Sequence, residues 1–163
     1  MTVTVSPKSG YVLDAIYYIP YSGASCEIVP DAGGRGSFKM PDADVVIYAE
    51  AHSPWKDLQA QFDRSEELIT LEEDVRAGSD DSPLMFNNGH ETILDLNGHT
   101  ISREMAKADL RGYVLEVSAG TLVIRDSKGG SITGGKGTYH GGGVYVSGGH
   151  LELSGGSITG NTA

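Results

Sequence analysis

The sequence has too few cysteines and too few basic residues for several common classes of function. Cys26 is the only cysteine among 163 residues, so the chain can form neither an internal disulfide nor a zinc site built on paired thiolates. Twelve Lys and Arg against 22 Asp and Glu give a net charge of −10, which repels nucleic-acid phosphates and anionic lipid headgroups. We therefore expect no nucleic-acid partner.

Long apolar runs are also missing. No stretch approaches the roughly 18 consecutive apolar residues of a membrane span, and the first residues lack the basic and apolar segments of a signal peptide. We expect no direct membrane insertion. Hydrophobic residues still make up 39% of the chain, which is enough for a packed core. The chain starts at Met1 inside an apparent strand and stops at Ala163 just after a glycine-rich repeat, so we expect a truncated piece of a longer protein.

Residues 1–52 read as a small β-rich domain. Apolar and polar residues alternate around Val3 and Val5, along Val12–Ile19 and along Val45–Ala49, and Ser, Gly, Pro and Asp clusters separate these stretches. Such alternation is typical of half-buried strands, and the clusters are typical of turns. About five short strands are predicted.

Residues 53–163 read as a second domain that opens with one helix over about residues 54–63. Ser53 can cap its N-terminus and Pro54 suits its first turn, while Trp55, Leu58 and Phe62 recur at helical spacing. A single helix of this length is not stable in isolation. We expect it to cover the end of a sheet.

After this helix the chain repeats itself. An eight-residue pattern occurs at Leu94–Ile101, Leu115–Leu122 and Val144–Leu151, with a shorter copy at Ile69–Val75. Gly129–Gly134 recurs as Gly155–Gly160. Repeats of this length indicate units that bury their apolar face by stacking, and the absence of a helix between copies favours a parallel β-solenoid. We expect about four coils, with Ile69, Leu94, Leu115 and Val144 in one interior column.

Several segments of the second domain resemble parts of a known fold family. They are Trp55–Leu58, Ile69–Leu71 before Asp74–Val75, Leu94–Ile101, Gly141–Val146 and Gly155–Ala163. This part resembles the right-handed parallel β-helix domains of the pectin-lyase-like superfamily, in the form found in surface and adhesin-like proteins of gut Firmicutes. The resemblance implies an all-β architecture.

The first domain has a resemblance of its own. Ser6–Tyr11 and Ser37–Val45 resemble a divergent internalin B-type repeat, a small bacterial surface repeat with a β-grasp-like fold. Together the two resemblances imply an extracellular protein of a Gram-positive bacterium, attached to the cell wall through regions outside this chain.

Parallel β-helices include polysaccharide lyases and glycosidases, so a catalytic site has to be considered. In the repeat alignment Asp95 and Glu116 take the same outward position on adjacent coils, roughly 4.8 Å apart at the backbone. Retaining glycosidases separate their carboxyl groups by roughly 5–5.5 Å, and a calcium ion also bridges such pairs. Arg125 is the candidate base of a lyase. A solvated face that carries the two carboxylates is the competing interpretation.

The densest charge run predicts no specific metal site. Its acidic residues are Glu66, Glu67, Glu72, Glu73, Asp74, Asp80 and Asp81. A solvent-exposed first coil explains them, and weak calcium binding is the alternative, although no Asp-x-Asp-x-Asp-Gly spacing supports it. The five histidines are too far apart in sequence to suggest a zinc site.

Two segments interrupt the repeat and should leave the coil as loops. Residues 102–112 carry Arg103, Lys107 and Arg111, and residues 134–143 carry Tyr139 and His140. Arg and Tyr supply much of the binding energy at interfaces, and loops on rigid scaffolds carry recognition. With the outward residue Tyr145, the candidate ligand-binding residues are Arg103, Arg111, Tyr139, His140 and Tyr145. Ordinary turns are the alternative.

Three functions are compatible with these features. The first is a non-catalytic extracellular module that binds a host glycoprotein, such as mucin or immunoglobulin, or a glycan. The second is a polysaccharide-active enzyme that uses Asp95 and Glu116, and the third is a stalk segment. The open strand edges of the last coil also predict either self-association through this end or a gain in stability when further coils follow.

Overall fold

The computed structural model describes residues 1–21, 23–32 and 34–163. Contacts divide the chain into two compact units, Met1–Ser53 and Pro54–Ala163. Ile16 and Ile28 are buried in the first unit, and a larger hydrophobic cluster fills the second. Each unit therefore has a core of its own.

The first unit consists of two small antiparallel sheets. Its strands are β1 (Thr2–Thr4), β2 (Val12–Pro20), β3 (Cys26–Ile28), β4 (Arg35–Ser37) and β5 (Val45–His52). β1 pairs with β4, and β2 lies between β3 and β5. The short strands predicted from the alternating pattern are confirmed for the described residues of this unit.

The second unit, which is described throughout, is a parallel β-solenoid of about three turns. Its strands are β6 (Leu68–Thr70), β7 (Val75–Arg76), β8 (Leu84–Asp95), β9 (Thr100–Ser102), β10 (Leu115–Arg125), β11 (Ser131–Thr133), β12 (Val144–Val146), β13 (His150–Leu153) and β14 (Ser157–Ile158). One sheet contains β6, β8, β10, β12 and β13, and a second sheet contains β7, β9, β11 and β14. The all-β architecture is confirmed, with about three turns where the repeats suggested four.

A single helix covers the first turn. α1 spans Pro54–Asp63, as predicted, and contacts β7 and β8. Trp55, Leu58 and Phe62 are buried in the same hydrophobic cluster as the first strands of the solenoid. The Phe62 ring meets the Phe86 ring edge-on, with 5.5 Å between centroids. This contact fixes the helix against the first half of β8.

The side chain of Gln59 closes the edge of that same strand. Its Nε2 donates to the carbonyl of Met85 at 2.9 Å, and its Oε1 accepts from the Met85 N–H at 2.8 Å. β6 pairs only with the second half of β8, at Ile93–Asp95. The amide of Gln59 therefore takes the place of a neighbouring strand at Met85.

The stacking register differs in part from the alignment of repeats. Leu115 lies opposite Val144, as predicted. Leu94, however, lies between Ile69 and Ile124, while the neighbour of Leu115 on the preceding turn is Leu84. The expected column of Ile69, Leu94, Leu115 and Val144 is wrong at the step from Leu94 to Leu115.

The reason for the error lies in the shape of the long strands. β8 and β10 each contain two apolar halves separated by irregular pairing between Val117 and Thr121. Leu94 belongs to the second half of its strand, whereas Leu115 belongs to the first half of the next strand. Both halves have an apolar, outward, apolar pattern, so the sequence alignment matched a second half to a first half.

The two segments that interrupt the repeat stack on one another at one corner. Isolated parallel bridges join Asp109 to Gly137 and Lys136 to Thr162. A Cβ on Gly112 would collide with the carbonyl oxygen of Lys136, so only glycine fits this close approach. These segments leave the two sheets, as expected, but each is supported by the segment above or below it.

The last turn leaves apolar side chains partly uncovered. Leu94, Ile124 and Ile132 are fully buried in the interior of the solenoid, whereas Leu153 in the last turn is 46% exposed.

Among the described residues, no helix has the length and apolar character needed to cross a membrane.

Candidate functional site

The outward face of the first half of the large sheet brings several of the predicted site residues together. Met85, Glu116 and Tyr145 lie side by side on β8, β10 and β12. Arg111 and Tyr113 precede β10, and His140 precedes β12. Together these strands and the segments that precede them form a group that we call the Glu116 cluster. It consists of Arg111, Tyr113, Glu116, His140 and Tyr145.

Glu116 is the centre of the hydrogen-bonding network. The Tyr113 hydroxyl donates to its Oε2 at 2.5 Å, and the Ser147 hydroxyl donates to its Oε1 at 2.8 Å. Nη2 of Arg111 lies 3.7 Å from Oε2, and the Glu116 side chain is only 13% exposed. Since both oxygens have partners, this carboxylate fixes the Tyr113 ring and links it to Ser147.

The rings of His140 and Tyr113 both pack against the ring of Tyr145. The His140 ring stacks on Tyr145 with centroids 4.2 Å apart and planes 21° apart. The Tyr113 ring lies 5.2 Å from Tyr145 at a tilt of 36°. The ring of Tyr145 therefore contacts Tyr113 in the segment before β10 and His140 in the segment before β12. Tyr113 is buried, with 3% of its surface exposed, so it supports Tyr145 from below. His140 and Tyr145 form the exposed aromatic surface, beside a carboxylate and a guanidinium group.

Burial and hydrogen bonding shift the pKa values of Tyr113 and Arg111. Burial raises the pKa of Tyr113, and its hydrogen bond to Glu116 raises it further. The hydrogen bond between Arg111 and the Tyr113 hydroxyl, 3.1 Å long, raises the pKa of Arg111. Tyr113 therefore remains a neutral donor and Arg111 remains a cation.

Arg103, which was predicted to bind ligand, is engaged by the protein backbone. Its Nη1 donates to the carbonyls of Arg111 and Tyr113, each at 2.7 Å, and its Nη2 donates to the carbonyl of Asp81 at 3.2 Å. Burial lowers the pKa of Arg103, although a guanidinium stays charged. Arg103 positions the segment that carries Arg111 and Tyr113.

The predicted adjacency of Asp95 and Glu116 is wrong. Asp95 lies opposite Arg125, nine positions further along β10 than Glu116. Asp95, one of the two predicted catalytic carboxylates, instead forms an ion pair with Arg125, the predicted base, at 3.0 Å. Asp95 lies in the second half of β8 and Glu116 in the first half of β10, so these residues form no paired carboxylate site of the expected kind.

The acidic run is partly tied to the next coil. Asp74 accepts the Thr100 N–H at 3.0 Å, and this bond together with Arg76 lowers the pKa of Asp74 although burial opposes them. Within the described ranges 1–21, 23–32 and 34–163, no group of three His, Cys, Asp or Glu is arranged to hold a metal ion. Weak calcium binding stays a prediction.

Sequence reasoning found some members of the cluster and missed others. Arg111, His140 and Tyr145 were predicted to bind ligand, and Glu116 was predicted as one carboxylate of a catalytic or calcium-binding pair with Asp95. Tyr139 is 80% exposed and lies next to His140. Tyr113 and Ser147 were missed. Extending the correct match of Leu115 with Val144 toward the C-terminus would have placed Ser147 on the same face as Glu116 and Tyr145, whereas Tyr113 precedes the strand and gave no such signal.

Comparison of the chain with family models, with curated proteins and with solved structures gave no match. The β-solenoid is therefore established by the structure alone, and the site has to be interpreted from its own chemistry.

Proposed function

We propose that this chain is a non-catalytic binding module that holds a glycan of a host glycoprotein, such as mucin or immunoglobulin, on the Glu116 cluster. The observation that carries the proposal is the ordered contact of Tyr113, Tyr145 and His140 around one well-bonded carboxylate. The cluster lies on strands and supported segments and is therefore held rigidly.

The composition of the cluster suits a sugar. A sugar ring has apolar C–H faces that pack on aromatic rings and hydroxyl groups that require donors and acceptors. His140 is exposed and Tyr145 is partly exposed, so both present ring surface to solvent. The guanidinium of Arg111, which is 55% exposed, supplies donors at the edge of the rings.

Binding is favoured over turnover because the carboxylates are separated. Hydrolysis by the usual mechanism needs two carboxyl groups on either side of one bond. Here Glu116 has partners on both oxygens, and Asp95 is paired with Arg125. Glu116 and Asp95 are therefore not arranged to act together on one bond.

We place the module outside the cell, in a Gram-positive surface protein that is attached to the wall through other regions. The support is the combination of the β-solenoid with a preceding small β unit, and the resemblance to right-handed pectin-lyase-like and internalin B-type repeats noted in the sequence. A stalk that holds a distant binding site away from the wall is the outcome if no partner is bound.

Titration of mucin O-glycopeptides into the protein tests the proposal. Replacement of Tyr145 by Ala should weaken binding about tenfold, since truncation of a central aromatic anchor has an effect of this size. Tyr21→Ala is the matched control because Tyr21 lies in the first unit and is 93% exposed. We expect it to leave the affinity unchanged.

Two results would contradict the proposal. Equal affinities of the wild type and Tyr145→Ala would place any binding elsewhere. Release of sugar products that stops in Asp95→Asn would show an enzyme.

A further inference from the structure

A basic cavity lies next to the Glu116 cluster. It has a volume of about 500 Å³ and is lined by Ser79, Asp81, Arg103, Lys107, Asp109 and Arg111 among others. This volume falls within the roughly 300–1,000 Å³ range of small-molecule sites. Arg111 borders both the cavity and the cluster, so a ligand on one is within reach of the other.

The two carboxylates of the cavity are used by the backbone. Oδ2 of Asp81 accepts the N–H of Gly78 at 2.7 Å, and Oδ1 of Asp109 accepts the N–H of Arg111 at 2.9 Å. Burial lowers the pKa of Arg103, and the negative charges of these two carboxylates act in the opposite direction and raise it. Three cationic side chains against two carboxylates still leave the lining with a net positive charge, in a protein of net charge −10.

Donors remain in the cavity after the internal contacts are counted. A guanidinium has five N–H groups, and Arg103 uses three of them on carbonyls. Arg111 uses its Nε on Tyr113 and its Nη2 on the sulfur of Met85. In the described part of the chain, Lys107 forms no ion pair with a carboxylate and is exposed.

We propose that this cavity binds the single anionic group, carboxylate or sulfate, of an acidic sugar whose neighbouring sugar packs on the Glu116 cluster. The inference rests on the proposed glycan binding and adds the charge of the ligand. Guanidinium and ammonium groups are the usual partners of carboxylate and sulfate oxygens.

The overall charge limits the ligand to one with few negative charges. Charges beyond roughly 8–10 Å are screened at physiological salt, so a single anionic group interacts mainly with the cavity. A long polyanion would also meet the acidic first coil, with Glu66, Glu67 and Glu72. The cavity therefore favours an isolated charge on a glycan chain over nucleic acid.

The test compares three forms of one sugar by calorimetric titration: neutral N-acetyllactosamine, its sialylated form and its sulfated form. We expect at least one charged form to bind about fivefold more tightly than the neutral form. Lys107→Gln should remove most of this advantage without changing the affinity for the neutral form. Lys39→Gln removes the same charge from an exposed site in the first unit and should have no effect.

Each outcome has a separate meaning. If the neutral and charged forms bind equally and Tyr145→Ala weakens both, the anion site is wrong and glycan binding stands. An advantage of the charged forms that is the same in Lys107→Gln and Lys39→Gln also overturns the anion site. If none of the three forms binds and the mucin glycopeptides do not bind either, glycan binding itself is wrong.

Discussion

At the scale of single residues, Asp126 holds one corner of the solenoid through its carboxylate. Its Oδ2 accepts the N–H groups of Lys128, Gly129 and Gly130, at 3.0, 2.6 and 2.9 Å, and its Oδ1 accepts that of Gly98 on the preceding turn at 2.6 Å. Desolvation raises the pKa of Asp126, but the four N–H donors outweigh it and lower the pKa below 3.8. The bonds therefore favour the ionised form.

The first prediction follows from the sign of that shift. Because the folded pKa lies below the unfolded value, the carboxylate stabilises the fold above about pH 4, and the contribution is lost as the pH falls through the folded pKa. Asp126→Asn should lower the free energy of unfolding at neutral pH, and the difference from the wild type should shrink in acid. Urea unfolding at several pH values measures it, with the exposed Asp42→Asn as the control. A difference that grows in acid would contradict the role of Asp126.

Arg103 gives the second prediction at this scale. Arg103→Met leaves three carbonyl acceptors without their charged donor, so we expect a loss of about 2 kcal/mol in the free energy of unfolding. Arg103→Lys should not restore it, since one ammonium cannot reach three carbonyls as a planar guanidinium does. Arg125→Met, which breaks one partly exposed ion pair, should cost less than about 1 kcal/mol. Equal losses in the Arg103 and Arg125 variants would count against the positioning role.

At the scale of elements, α1 covers the first turn of the solenoid, and the side chain of Gln59 replaces the missing neighbouring strand at Met85. Gln59→Leu removes both bonds to Met85, which exposes a strand edge and should cost about 1–3 kcal/mol. Hydrogen exchange of the Met85 amide should become faster. Gln61→Leu on the same helix is the control, because within residues 1–21, 23–32 and 34–163 the Gln61 side chain forms no hydrogen bond. Unchanged exchange at Met85 in Gln59→Leu would show that the edge is protected in another way.

Element positions could be predicted from the sequence, whereas the pairing of elements could be predicted only in part. The limits of α1 follow from local signals, since Ser53 and Pro54 mark its start and Trp55, Leu58 and Phe62 mark one face. Register is not local. An apolar, outward, apolar pattern fits either half of a long bent strand, and only hydrogen bonding between turns distinguishes the two.

The same limit applies to the candidate site. Arg111, His140 and Tyr145 were conspicuous by residue type and position. The contacts that make them a site depend on the ring of Tyr113, which lies in the segment before β10, and on the strand neighbours of Glu116, which the register sets.

At the scale of the whole molecule, the exposed apolar side chains of the last turn predict that the isolated chain pairs with a second copy of itself. Leu153 is 46% exposed, and Val146 and Ile158 are 43% and 37% exposed. Uncovered apolar strands at an edge are templates for pairing. Sedimentation should show a dimer that dissociates on dilution, and Leu153→Lys should shift the equilibrium to monomer. A monomer at all concentrations in the wild type would exclude this interface.

The stacking register is the claim on which the cluster, the cavity and the rejected carboxylate pair all depend. Oxidative cross-linking in a Cys26→Ser background tests it directly. Asp95→Cys with Arg125→Cys places two thiols on paired residues of adjacent strands, roughly 4.8 Å apart at the backbone, which lies within the roughly 4.4–6.8 Å range of disulfides. We predict that this pair closes while Asp95→Cys with Glu116→Cys keeps two free thiols. Closure of the Asp95–Glu116 pair, with the Asp95–Arg125 pair left open, would contradict the account.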